Sequence, residues 1–358
     1  MANDRARIAV VGTGWWSTST HIPGLLDNPH ADLIAICDTN DARLSKAAEA
    51  FPGHATYTDV HELLRQEELD GIIVAVVHSA HHSVAAACLD AGLHVMLEKP
   101  MTLTATDARD LVDRAAAEER ELIIGYPWHF TRTARRAREV ITSGDLGAPQ
   151  HVVNTYSSTI IEFLRGNAEA YRPVFDWKVV GPDKVYNDPR LTGGGEGHLQ
   201  ITHSSGLMFF VSGLRAERVS AVMNNYDVPM DLVDAMSVRF EGGAVGVVAG
   251  TGNMPVGDPG QLDIRVYCEN GYVLLDAVNG RLTITRHKGP TEDVHIIGGG
   301  DDTYPRFETA KNLVDVCVGR APNGSPGAFG LRSVELLDAA YRSAAAGGDV
   351  VTVKELYS

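Results

Sequence analysis

Short apolar runs alternate with helix-length stretches over the first third of the chain. Arg7-Ile8-Ala9-Val10-Val11 is closed by glycine, and Asp32-Leu33-Ile34-Ala35-Ile36-Cys37 is a second such run. The segment between them has room for a helix, which Pro23 and Gly24 are expected to interrupt. A polar helical stretch covers residues 40–51. Gly71-Ile72-Ile73-Val74-Ala75-Val76-Val77 is the purest strand signal, because continuous apolar residues imply burial on both faces, as in a parallel sheet. Helix (83–90), strand (94–97), helix (107–120) and strand (121–125) signals follow. This alternation predicts a doubly wound parallel sheet.

The rest reads differently. Residues 134–143 look helical, 150–158 alternate like a strand, and 166–191 are irregular. A helix is predicted from Glu196 to about Val211. Six closely spaced strand signals then cover 218–223, 235–240, 244–249, 262–268, 272–276 and 281–285. Asn270-Gly271 and Asn279-Gly280 are two-residue hairpin signals, so the strands they join must be antiparallel. The tail from Arg306 returns to a helical pattern. The chain therefore reads as α/β, with a doubly wound parallel domain at 1–126. An α+β domain on a mostly antiparallel open sheet follows at 127–358.

Composition narrows the class. At 358 residues two domains are natural, and 44% hydrophobic residues argue against disorder. The formal charge of −15 makes the chain a poor partner for nucleic acid or anionic lipid. No apolar stretch reaches membrane-span length, and the first residues lack the apolar core of a signal peptide. Cys37, Cys88, Cys268 and Cys317 are far apart, which suits a reducing cytoplasm better than a disulfide or zinc scaffold.

The first turn carries chemistry. Gly12-Thr13-Gly14-Trp15-Trp16-Ser17 is a G-x-G-x-x-S turn between strand and helix. The first glycine permits the tight turn, the second admits a pyrophosphate, and the helix start offers unpaired N–H groups to the anion. Asp38 closes the second strand 24 residues after Gly14. A carboxylate there suits the ribose hydroxyls of NAD and repels the 2′-phosphate of NADP.

Ala91-Gly92-Leu93-His94-Val95-Met96-Leu97-Glu98-Lys99-Pro100 resembles the A-G-K-H-V-x-x-E-K-P signature of the Gfo/Idh/MocA oxidoreductases. His81 stands where that family usually has a histidine. Gly193-Gly194-Gly195 with His203 is similar to its second signature, G-G-G-x-x-x-D-x-G-x-H. The likeness extends to the C-terminal tail. It implies a Rossmann domain and a C-terminal domain whose open sheet often serves as an oligomer face, so a homodimer or homotetramer is expected. It also implies NAD(P)-dependent oxidation of sugars, inositols and related polyols. The cofactor contacts it suggests are Gly12, Thr13, Gly14, Trp15, Trp16, Asp38, His81, Glu98 and Lys99. The residues agree at one point without the family: Glu98-Lys99-Pro100 ends a parallel strand, at the edge where ligands bind, and a lysine there can stabilise a developing alkoxide.

Two departures stand out. The signature aspartate falls at Leu199, and its second glycine at Ile201. An aspartate four residues before His203 would share its helical face, whereas leucine cannot orient an imidazole. On a regular helix Glu196, Gln200 and His203 form one stripe, with Glu196 about 10 Å up the axis from His203 and out of direct contact. His203 is the candidate base and Lys99 its partner. The second departure is Gly125-Tyr126-Pro127-Trp128-His129-Phe130, where the family often shows G-Y-N-x-R-F. Tyr126 and Trp128 there, with Trp177, His198 and Gln200, are the candidate substrate contacts. The loop around Trp177, which includes Asp176, suits a carbohydrate pocket wall or an ordinary surface loop equally. His78, His81 and His82 lack an accompanying carboxylate cluster, so no metal is expected.

The expected activity is NAD-dependent hydride transfer between nicotinamide and the carbinol carbon of a sugar, sugar derivative or cyclic polyol. One rival is a glycosidase that uses NAD for transient oxidation and elimination. The other is a non-catalytic NAD-binding sensor.

Overall fold

The computed structural model describes residues 4–175, 177–182 and 184–358, so the first three residues, Asp176 and Asp183 lie outside the description. Among the described residues the first sheet has six strands: β1 (Ala6–Val11), β2 (Ala31–Cys37), β3 (Ala55–Tyr57), β4 (Gly71–Val74), β5 (His94–Leu97) and β6 (Leu122–Ile124). All pair in parallel in the order β3-β2-β1-β4-β5-β6. That order reverses beside β1, so a crevice opens there at the carboxyl ends of the strands. β4 is buried throughout, as its unbroken apolar run requires.

The region after β1 corrects the sequence reading. A π-helical turn, Ser17–His21, runs directly into the α-helix Ile22–Leu26. Pro23 sits in the first turn of that helix, where a missing N–H costs little, and so does not break it. Gly24 leaves room for Phe307, whose Cδ1 lies 3.0 Å from where a Cβ would stand.

The second sheet has nine described strands: β7 (Pro149–Ser157), β8 (Ala216–Asn224), β9 (Val233–Phe240), β10 (Val245–Thr251), β11 (Gln261–Cys268), β12 (Gly271–Asp276), β13 (Arg281–Arg286), β14 (Glu292–His295) and β15 (Val351–Thr352). The strands beside both Asn-Gly pairs are antiparallel as expected, but the turns differ: the first loop is Glu269-Asn270, with Gly271 already in β12, and Asn279-Gly280 ends a four-residue loop, 277–280. β7 and β10 pair in parallel, an exception that no turn signal predicts. One face of this sheet shares an apolar core with the helices Arg132–Thr142, Thr202–Ser212 and Gly327–Ala345. Each fully buried side chain there, such as Phe209 or Ile264, is worth about 1.5–3 kcal/mol. The other face leaves Val222, Val245 and Val247 exposed.

The chain then returns to the first sheet. The helix Glu308–Cys317 packs Ala310, Leu313 and Val314 into the core of β1, β4 and β5, so the first domain's core is completed from the far end of the sequence.

Candidate active site

Gly12 leaves β1 with a φ of +97°, and a Cβ on it would stand 2.2 Å from the Ala75 carbonyl oxygen. Only glycine fits such a turn. Beside it opens a cavity of about 440 Å³, lined by Gly12, Gly14, Trp15, Trp16, Asp38 and Arg43 among others. A second cavity, of about 470 Å³, holds Lys99, His203, Gln200, Trp128, Ser158 and Tyr304 in its wall. Trp15, Trp16, Ala75, Val76, His78 and Tyr186 belong to both, so the two spaces meet at these residues.

Asp38 is buried, and each of its oxygens already accepts two hydrogen bonds. Oδ2 accepts from the Thr13 amide (2.8 Å) and the Thr13 hydroxyl (3.0 Å). Oδ1 accepts from the Asn40 amide (2.8 Å) and Arg43 Nη2 (3.1 Å). Thr13 therefore serves Asp38 and does not line this cavity, although the family resemblance suggests it as a cofactor contact. The carboxylate orders this corner of the cavity and remains part of its wall.

Glu98 and Lys99 leave the end of β5 in different directions. Glu98 Oε1 is shared by Trp16 Nε1 (3.0 Å) and His21 Nε2 (2.9 Å). It lines the second cavity rather than the first, so it braces the glycine turn from behind. Burial pushes the Glu98 carboxyl up, but the His21 hydrogen bond and the neighbouring charges outweigh this and hold it low. Lys99 Nζ donates to the Leu199 carbonyl at 2.9 Å. Burial lowers its pKa to about 8 against the pull of Glu98 and Glu196. His81 bridges two carbonyls, with Nδ1 2.7 Å from Pro100 O and Nε2 3.2 Å from Val76 O. It thereby ties the end of β4 to the Lys99-Pro100 turn at the edge of the second cavity.

The helix that carries His203 is not regular. A π-helical turn, Gly197–Ile201, precedes the α-helix Thr202–Ser212. The wider turn breaks the stripe expected for a regular helix. Gln200 and His203 line the cavity, while Glu196 points to the second sheet and meets Ser158. Leu199 sits in a small apolar cluster with Ile160, Leu164 and Met230. No carboxylate backs His203, and its buried Nδ1 has no hydrogen-bond partner among the described residues. Burial, then Lys99 and His129, push the imidazole well below its usual range, so it is neutral at pH 7. Trp128 stands edge-on to His203, 5.6 Å between ring centroids.

Three expected substrate contacts lie elsewhere. Tyr126 is fully buried, packs on Gly206, and its hydroxyl is 3.1 Å from Thr202 Oγ1, so it joins the two domains instead of lining the cavity. His198 stacks on Tyr341 at 4.6 Å, outside both cavities. Trp177 stands behind Trp15 and Phe175 as a second layer. In front of it Trp15 Nε1 donates to Tyr186 OH at 2.8 Å, which ties the glycine turn to the loop above it. Sequence reasoning misses several wall residues. His78, whose Nδ1 donates to Thr192 O at 3.1 Å, enters it only as a metal ligand. Ser158, Tyr156, Tyr304 and Arg306 carry no local signal, because they meet only through the fold. His82 is paired with Asp110 at 2.7 Å, and no group of three or more metal-ligating side chains occurs among the described residues. No described helix is long and apolar enough to cross a membrane.

Residues 6–126 match the family model described as the oxidoreductase family, NAD-binding Rossmann fold, and residues 134–274 match the GFO/IDH/MocA C-terminal domain. Similar proteins include the 1-carboxy-3-chloro-3,4-dihydroxycyclohexa-1,5-diene dehydrogenase of Comamonas testosteroni. It is 27% identical over 248 residues, 69% of this chain and 58% of that protein. The myo-inositol 2-dehydrogenase of Thermotoga maritima is 30% identical over 151 residues, 42% of this chain and 45% of that one. The matched region thus spans about half the length of these relatives. Levoglucosan dehydrogenase, solved with NADH and levoglucosan, superposes with a TM-score of 0.78 at 17% identity, over 98% of this chain and 99% of that one, and so shares the fold. With both domain models matched in order along one chain that carries the glycine turn and the Glu-Lys-Pro turn, this protein belongs to the Gfo/Idh/MocA oxidoreductase family, with residues 6–126 as its NAD-binding Rossmann domain.

Proposed function

We propose that the protein is an NAD-dependent dehydrogenase that oxidises a ring carbinol of a cyclic polyol, sugar or sugar derivative. The single observation that carries this reading is the junction of the two cavities, which brings Lys99 and His203 to the end of the dinucleotide cradle. When bound, NAD supplies the hydride acceptor. Gly12, Gly14 and the start of the following helix would hold its pyrophosphate, and the corner ordered by Asp38 its adenosine ribose. Lys99 stabilises the negative charge that develops on the carbinol oxygen. His203, uncharged, accepts a hydrogen bond from the same hydroxyl. The aromatic wall of Trp128, Tyr156 and Tyr304 suits the apolar face of a ring, while Gln200 and Ser158 offer polar contacts to its hydroxyls. The myo-inositol and dihydroxycyclohexadiene dehydrogenases among the relatives act on such rings.

The deciding assay follows NADH formation over a panel of inositols, glycosides and anhydrosugars. Net NADH with a ketone product is expected from at least one ring polyol. Aglycone release without NADH accumulation would move the reading to redox-assisted glycoside cleavage. Tight NAD binding with no turnover on the whole panel would turn it into a sensor.

Cofactor choice gives a second test. Asp38→Ala removes a buried acceptor of four hydrogen bonds and leaves Arg43 at the same corner. Losing charge-assisted bonds of about 1.5–3 kcal/mol predicts NAD affinity about 10- to 100-fold weaker, with NADP penalised less. An unchanged NAD/NADP ratio in fluorescence titrations would discredit the assignment.

We also propose self-association through the open sheet. Val247, 40% exposed, pairs in register with Val153 on β7, and Val222, 63% exposed, lies on β8 of the same sheet. Val247→Glu is expected to shift the sedimentation coefficient towards the monomer. The four unpaired thiols suit a reducing compartment such as the cytoplasm.

A further inference from the structure

Loss of the signature aspartate leaves a question of proton accounting. Oxidising a carbinol releases a hydroxyl proton, and Leu199 offers nothing to help His203 take it. An imidazolium at His203 would also form beside the Lys99 ammonium, which opposes it.

A buried carboxyl lies behind the same cavity. Glu196 is fully inaccessible, and its Oε2 accepts from Ser158 Oγ at 3.0 Å. Its Oε1 has no hydrogen-bond partner among the described residues. The slot that holds it is made by two glycines of the β10 end. A Cβ on Gly250 would come 2.9 Å from Oε1, and one on Gly252 3.0 Å from Oε2. Ser158 lines the cavity, so the carboxyl reaches the substrate space through one hydroxyl. The wide π-helical turn frees Glu196 from the His203 face to reach this slot.

We propose that Glu196, acting through Ser158, is the positioning carboxylate that finally holds the substrate's hydroxyl proton in this chain. The inference rests on the dehydrogenase reading and moves its final proton acceptor from His203 to Glu196. The carbinol carbon loses hydride to the nicotinamide cofactor and becomes a carbonyl carbon. Its O–H bond breaks, Ser158 Oγ gains that proton, and the proton Ser158 held passes to Glu196 Oε2. Lys99 keeps its hydrogen bond to the oxygen throughout, whereas the hydroxyl's single proton turns from His203 to Ser158 before the step, so His203 gives up the bond it accepted.

The surroundings tune Glu196 for this. Burial, then the facing carboxylates Asp234 and Asp231 at and before the start of β9, push it well above the usual carboxylate range. Ser158 and the Lys99 ammonium, from the end of β5, pull it back. Tyr156 on β7 faces it as a neutral phenol, its own ionisation suppressed by burial and by Glu196. Asp231 is anchored by the Gly195 and Gly197 amides, both at 2.8 Å, and by the Tyr341 hydroxyl. A carboxyl raised in this way is a stronger base once ionised, and a base works best with a pKa near the working pH.

The test uses the full-length protein with NAD bound. Infrared pH-difference spectra should show protonated carboxyl bands that titrate above the ordinary carboxylate range, one from Glu196 and one from buried Asp234, which burial and Asp231 also raise. Glu196→Gln, nearly isosteric, should abolish the first and spare the second, and Ser158→Ala should move the midpoint of the first. With the ring polyol that the wild type oxidises best, kcat should rise with pH along a limb that has the same midpoint. Glu196→Gln should flatten that limb and lower kcat about 100-fold with NADH affinity unchanged, and the double variant should be no worse than Glu196→Gln alone. If Glu196→Gln does not fold, Ser158→Ala carries the test through the band and the limb. No band lost in Glu196→Gln, no band moved by Ser158→Ala, or an unaltered limb, overturns the proposal. If the wild type oxidises nothing on the panel, the dehydrogenase reading fails, and the infrared arm still decides where the proton resides.

Discussion

Lys99→Ala is expected to lower kcat by about 10²- to 10³-fold, the usual effect of removing one preorganised donor to a developing oxyanion. NADH affinity should stay within about twofold, because Lys99 faces the second cavity and not the dinucleotide cradle. The ammonium is held in position by its surroundings. It donates to the Leu199 carbonyl, and Glu98 and Glu196 partly offset the cost of its burial. Its pKa of about 8 sets the sign of a pH effect. Below that value the side chain is charged and stabilises alkoxide, and above it the charge is lost. The rate of oxidation should therefore fall as pH rises through about 8 in the wild type. Lys99→Arg should move this descending limb upward, since guanidinium stays charged. Stopped-flow and steady-state measurements on the three proteins suffice. Parallel losses of turnover and NADH affinity in Lys99→Ala would show that the lysine shapes the cradle instead.

Gly12→Ala should destabilise the protein by about 2–4 kcal/mol, the cost of a left-handed backbone for alanine plus a main-chain clash. The clash is with the Ala75 carbonyl, which cannot move without disturbing the end of β4. NAD binding should weaken at least about tenfold, because the displaced turn lines the cavity. Gly14→Ala provides the contrast. Its φ is not positive and no atom stands within 4 Å of the added methyl, so stability should change by less than about 1 kcal/mol. Its affinity loss should still be large, because the methyl would enter the space a pyrophosphate needs. Chemical denaturation and fluorescence titration separate the two effects. Equal stability losses in both variants would remove the distinction between a glycine kept for the fold and one kept for the ligand.

Much of this molecule is legible along the chain. Most of the parallel sheet follows from short, largely apolar runs, since a strand buried on both faces carries few polar residues, while the short edge strand β3 gives no such run. The two Asn-Gly pairs announce antiparallel neighbours, although only Gly280 takes the left-handed angle that favours glycine, and Gly271 opens β12 instead. The cradle, Asp38 and the Glu98-Lys99-Pro100 turn are readable because each belongs to one strand and the turn that ends it. Their geometry is local, and local geometry is encoded by neighbouring residues.

What the sequence could not fix was decided by contacts between distant segments. Whether Tyr126, His198 and Trp177 face a ligand or a neighbour depends on which side chains pack against them, and those lie 76 to 162 residues away in the chain. The π-helical turn before His203 is stabilised by tertiary partners such as Asp231 and Ser158, so a regular helical count misplaces Glu196. Chain order alone determined the longer strands, the phosphate turn and the lysine at the strand end, because hydrogen bonding and steric limits act over a few residues, whereas the short edge strands β3, β14 and β15 carry no such signal. The tertiary structure alone decided the shared wall of the two cavities and the carboxyl behind Ser158. Burial and electrostatic pairing depend on distance in space, which position in the chain does not specify.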